Sequence, residues 1–112
     1  MNKEDLKMEN ENELELKTQK EGDALTIFLI GEVNTMTAPQ LKEILDPELP
    51  GLNAVTFDFE KCDFVSSAGL RILLATFKTL KKKKGKMNIL NIGPTFKETL
   101  NITGLDKVFG CK

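Results

Sequence analysis

Apolar residues change their spacing several times along this chain, and each change marks a different element. From Glu13 to Thr18 the pattern alternates, with Leu14 and Leu16 on one side, which predicts a half-buried edge strand. Glu21-Gly22-Asp23 is turn chemistry, and Ala24 to Ile30 is a near-continuous apolar run ending at Gly31. That run predicts a central strand buried on both faces, joined to the first as a hairpin. Thr37 and Pro39 then supply a helix cap and a first-turn proline, and Leu41, Ile44 and Leu45 recur at helical spacing until Pro47 and Pro50-Gly51.

Ala54 to Phe59 alternates again, with Val55, Phe57 and Phe59 on one face, and predicts a strand followed by a loop, Glu60 to Val65. Leu70, Leu73, Leu74, Phe77 and Leu80 mark a long amphipathic helix that closes in Lys81–Lys84 and Gly85. Met87 to Ile92 reads as a strand, Gly93-Pro94 opens a helix carrying Phe96 and Leu100, Gly104 closes it, and Val108-Phe109 is a short final apolar pair. The order β-β-α-β-α-β-α predicts an α/β domain with a mostly parallel mixed sheet of four to five strands, an N-terminal β-hairpin and right-handed crossovers. Residues 1–12 are polar and read as a flexible arm, leaving 13–112 as a single domain.

Composition narrows the chemistry. The 112 residues, 40% of them hydrophobic, suffice for one core. The net charge of −1 argues against a nucleic-acid partner, and no apolar stretch is long enough for membrane insertion or a signal peptide, so a cytoplasmic location is expected. With no histidine, Ser-His and Cys-His catalysis is excluded, and neither a phosphate loop nor a dinucleotide fingerprint is present, so no enzyme activity and no cofactor are expected. Cys62 and Cys111 lack metal-ligand spacing; both read as free thiols, Cys62 as a small core residue. Asp58, Glu60 and Asp63 read as solvated charges and not as a metal site, and the lysine run as the ordinary complement of a helix C-terminus.

The segments Val55 to Glu60 and Phe64-Val65-Ser66-Ser67-Ala68-Gly69-Leu70-Arg71 resemble the signature of the STAS family, which comprises sulfate-transporter cytoplasmic domains and anti-sigma-factor antagonists. Gly31-Glu32-Val33-Asn34 with Thr37-Ala38, and Ile89 to Pro94 with Thr103-Gly104-Leu105, match two further family stretches, so that the resemblance spans about residues 13–109. It implies the STAS fold and, for a chain of this length, an anti-sigma-factor antagonist: a protein that binds an anti-sigma factor, itself a serine kinase, and so releases a sigma factor. Phosphorylation of a serine opening the second helix abolishes binding in that family, and a PP2C-type phosphatase reverses it. Aligning the glycines places that serine at Ser67, with Ser66 as second candidate. Ser66 stands where the family has Asp, Asn34 where it has Asp, and the family's last helix is expected to be shortened or missing. The alternative within the family is an unphosphorylated subunit of another assembly, such as a lipid-transport ABC complex or a sensory complex.

The loop–helix junction suits a switch on physical grounds alone. A serine there can cap unpaired N–H groups, and a phosphate added to it is welcomed by the helix N-terminus but not by a surface packed over it. Without the family context the same serines read as a plain helix cap. The expected partner face takes in Asn34, Thr35, Met36, Asp58, Phe64, Ser66, Ala68, Gly69 and Arg71. Asp58 reads equally well as an exposed strand residue, Asn34 as a turn residue, and Met36 and Phe64 as core.

Overall fold

The computed structural model describes residues 14–109; the expected arm and Cys111 lie outside them. Strands β1 (Glu15–Glu21) and β2 (Ala24–Val33) form the antiparallel hairpin, with Glu21 opposite Ala24. Helix α1 (Ala38–Glu48) continues into a 3₁₀ turn, Leu49–Gly51, and β3 (Ala54–Val65) returns parallel to β2. Helix α2 (Ser67–Lys82), β4 (Lys86–Leu90), α3 (Pro94–Thr103) and α4 (Leu105–Phe109) complete the chain, with β4 parallel to β3. The sheet has four strands in chain order, β1-β2-β3-β4. A hairpin followed by right-handed crossovers in one direction lays successive helices on one face.

That one-sidedness corrects the reading of β2. Leu25, Ile27 and Leu29 are buried, whereas Ala24, Thr26, Phe28 and Ile30 between them are only partly covered. The core lies between the sheet and the helices, where Phe59 meets Phe96 edge-on at 4.8 Å and Phe77 of α2 meets Phe109 of α4 at 5.8 Å. The final apolar pair therefore belongs to a short helix that caps the core.

Two helix ends also differ from expectation. Pro47 sits inside α1, one residue from its end, although it has no N–H to donate back along the helix; only one residue of helix follows it. The lysine run does more than complement a dipole: Lys83 Nζ donates to the carbonyls of Leu49 at 2.7 Å and Pro50 at 3.1 Å, tying the end of α2 to the 3₁₀ turn. Gly85 is required by close approach, since a Cβ there would lie 2.5 Å from the Asn53 carbonyl oxygen, and the left-handed residue of this turn is Lys84, with φ of 62°.

The largest correction concerns β3. The segment Glu60–Val65, expected as a loop, continues the strand and stays paired with β2 as far as Val33↔Val65. Two register shifts accompany it, between Phe28 and Ile30 and between Gly31 and Glu32 on β2, each accommodating an extra residue on β3.

Candidate partner-binding site

The C-terminal ends of β2 and β3 lie side by side, and each leads through a tight turn into a helix. After β2, Asn34 organises the turn: its Oδ1 accepts from the N–H groups of Met36 at 2.8 Å and Thr37 at 3.0 Å. Thr37 is buried and its hydroxyl donates to the Glu32 carbonyl at 2.7 Å while accepting from the Asn34 N–H at 2.8 Å. Thr37 thus makes no side-chain cap bond to α1, contrary to expectation; it closes the turn. This asparagine–threonine pair holds Thr35 and Met36 outward, Met36 at 83% exposure.

After β3, the Ser66 N–H donates to the Val33 carbonyl at 2.7 Å, so the junction of β3 and α2 is hydrogen-bonded to the end of β2. Ser66 occupies the N-cap position with extended backbone, and its carbonyl accepts the first helical bond from Leu70 at 2.9 Å. Its hydroxyl makes no cap bond: Ser66 Oγ is buried and has no hydrogen-bond partner among the described residues. Ser67, the first residue of α2, is exposed. The two serines, equivalent in sequence, are thus unlike in access.

Gly69 explains how α2 starts so close to the sheet. It is buried, and a Cβ on it would sit 2.6 Å from Val33 Cγ1 and 2.6 Å from Val65 Cγ1. The bare backbone of Gly69 therefore seats against the ends of both strands and fixes where Ser67 emerges. Around it lie Phe64, at 44% exposure, and the half-buried Ala68. Met36, in the turn after β2, and Phe64, next to the end of β3, are large, apolar and exposed, so neither belongs to the core. Between α1 and α2 runs a groove of about 290 Å³ lined by Thr35, Ala38, Lys42, Ala68, Arg71 and Ile72.

Asp58 is not brought into this cluster. It lies within β3, opposite Phe28 and Leu90, and its Oδ1 accepts from the Glu60 N–H at 3.0 Å and Asn91 Nδ2 at 3.1 Å. The expectation that it stands at a strand's C-terminal end fails because the strand runs on to Val65. Among the described residues no group of three or more Cys, Asp or Glu side chains could hold a metal ion, and no helix is long and apolar enough to cross a membrane. Cys62 is buried in the strand, and burial pushes its thiol pKa up, so it is a poor nucleophile. Lys42 and the contact made by Val33 and Val65 were not singled out in the sequence, and Thr37 was read as a helix cap. Only the small Gly69, following Ser66-Ser67-Ala68, hinted at the valine contact.

A buried, unpaired hydroxyl carries a desolvation penalty that its removal relieves. Ser66→Ala is therefore expected to change stability by less than about 0.5 kcal/mol, although replacing a serine at a helix cap ordinarily costs about 1 kcal/mol. Urea unfolding followed by circular dichroism measures it; a loss of about 1 kcal/mol would mean that the hydroxyl bonds the helix after all.

The site thus combines a one-sided, four-stranded mixed sheet, two neighbouring strand–helix junctions and an exposed serine at the second of them. The chain belongs to the STAS family, whose domain model matches residues 15–112. It is 31% identical over 97 residues to BtrV of Bordetella bronchiseptica, covering 86% of this chain and 84% of that one. It is 28% identical to the anti-sigma-B factor antagonist of Bacillus subtilis over 90 residues, covering 80% and 82%. The crystal structure of an anti-sigma factor antagonist from Mycobacterium paratuberculosis superposes with a TM-score of 0.75 at 28% identity, over 86% of this chain and 82% of that one. The relatives are antagonists of regulatory factors, and the chain stands with them among non-enzymatic regulators.

Proposed function

We propose that this chain is a cytoplasmic anti-sigma-factor antagonist. It binds an anti-sigma factor through the face built by Asn34, Thr35, Met36, Phe64, Ala68 and Arg71, and phosphorylation of Ser67 releases it. The anti-sigma factor is itself the serine kinase, and a PP2C-type phosphatase restores the binding form. The observation that carries this reading is the contrast between the serines: Ser67 is exposed on the first turn of α2, while Ser66 Oγ is buried. A kinase needs an accessible hydroxyl, and of the two serines Ser67 offers one. The exposed Met36 and Phe64 supply apolar area for a partner packed over that hydroxyl.

Phosphate adds about −1.5 to −2 charges and three acceptor oxygens. At the start of a helix these charges are tolerated. Inside a closed interface they are desolvated without a matching partner, so association fails while the fold persists. The test is incubation with a serine-kinase anti-sigma factor and ATP, read by intact mass, which suits a chain with no Trp or Tyr. A gain of one phosphate mapped to Ser67, absent in Ser67→Ala and removed by a PP2C-type phosphatase, is the expected outcome. No gain, together with stable binding, would instead identify a constitutive subunit of another assembly.

A further inference from the structure

We infer that Arg71 is the internal receptor for a phosphate carried on Ser67: modification draws its guanidinium out of the α1–α2 groove and onto the phosphate. The inference rests on the reading of Ser67 as phosphoacceptor. Ser67 and Arg71 are both exposed on α2, four residues apart. Side chains at that spacing are neighbours on one helix face, about 5–6 Å apart at Cβ, and helical side chains lean toward the N-terminus, so Arg71 leans toward Ser67. Among the described residues Arg71 has no ion-pair or hydrogen-bond partner; the carboxylate that lines the groove with it, Asp46, is paired with Lys42. Guanidinium binds phosphate in a two-pronged fashion that an ammonium does not reproduce.

The surroundings favour Arg71 over other cations. Across the groove α1 contributes Lys42, whose ammonium is held by Asp46 at 3.0 Å. The acidic groups at the strand ends, Glu32 and Asp63, both act on the Cys62 thiol. In the unmodified protein Arg71 lines the groove beside Thr35, Ala68 and Ile72, where it is available to a partner. Modification would then act twice on the same surface: it plants an anion at Ser67 and takes a cation out of the groove.

The test uses full-length chain with phosphoserine genetically encoded at position 67, so that it reads Arg71 whether or not any kinase modifies Ser67. The second pKa of the phosphate, about 6 when free, is followed by phosphorus NMR titration. It is expected to lie lower in the wild-type background than in Arg71→Gln, by about half a pH unit or more. Arg71→Lys should fall between them, and Lys42→Gln should change little. Identical titrations for wild type and Arg71→Gln, or a shift that follows Lys42→Gln instead, would overturn the inference. A failure of the kinase experiment above with a positive result here would overturn only the proposed regulation.

Discussion

Ser67→Asp is expected to weaken binding to the anti-sigma factor by about 30-fold or more while leaving the fold as stable as before, or slightly more so. The two effects have opposite signs for a physical reason. A carboxylate in the first turn of α2 faces the unpaired N–H groups there and contributes about 0.3–1 kcal/mol to stability. The same charge desolvated beneath a partner costs about 2–5 kcal/mol when nothing pairs with it, and 2 kcal/mol is already about 30-fold in affinity. Calorimetric or surface binding measurements with wild type, Ser67→Ala and Ser67→Asp, beside urea unfolding of each, separate the two. Weak binding with lost stability would indicate a damaged helix start; unchanged binding would remove Ser67 from the interface.

Gly69→Ala should produce the largest loss of stability of any single methyl added to the site, about 1–2 kcal/mol. Alanine is the better helix former, which taken alone favours the variant by up to about 1 kcal/mol. Against this, the new Cβ would lie 2.6 Å from one methyl carbon on each of Val33 and Val65. Valine is stiff at χ1, and both side chains are buried at strand ends, so neither can swing aside cheaply. Overpacking of this kind costs about 1–3 kcal/mol, enough to outweigh propensity. The relief available is to lift the start of α2 off the sheet, which also displaces Ser67, so binding should weaken beyond what the stability loss explains. A Gly69→Ala protein as stable as wild type would mean that α2 is not seated on the two valines.

Much of this site was legible in the residue order because its parts are local. Thr35-Met36-Thr37 and Ser66-Ser67-Ala68-Gly69 are short turns whose composition announces them, and the helices behind them carry regular periods. What was not legible depended on pairing across the sheet. Along β3 the buried positions run Val55, Phe57, Phe59 and then Cys62 and Val65, so the spacing stretches from two residues to three. A periodicity test sees the alternation stop at Phe59 and reads a loop, which in turn put Asp58 at the strand's end. Burial on one face of β2 was hidden for a different reason. Phe28 and Ile30 are as apolar as Ile27 and Leu29, and only the absence of a covering helix among the described residues distinguishes them. The distinct fates of Ser66 and Ser67 followed from the N-terminal geometry of one helix, which no pattern of residue types specifies.

The two extra residues in β3 also set a rule for how this segment can vary in length. Between Leu29 and Val33, β2 takes four steps to pass from one inward side chain to another, while β3 takes six, from Phe59 to Val65, over the same stretch of sheet. Each surplus residue is absorbed by its own bulge, which keeps the inward face aligned: Cys62 stays buried opposite Gly31, and Val65 opposite Val33. Losing one of them together with its bulge would shorten the strand and leave Val65 and the serine turn on their present sides. Losing a residue from the regular stretch Ala54–Asp58 would instead turn the following side chains over. Length changes compatible with a working protein should therefore collect at the two bulges, one residue at a time.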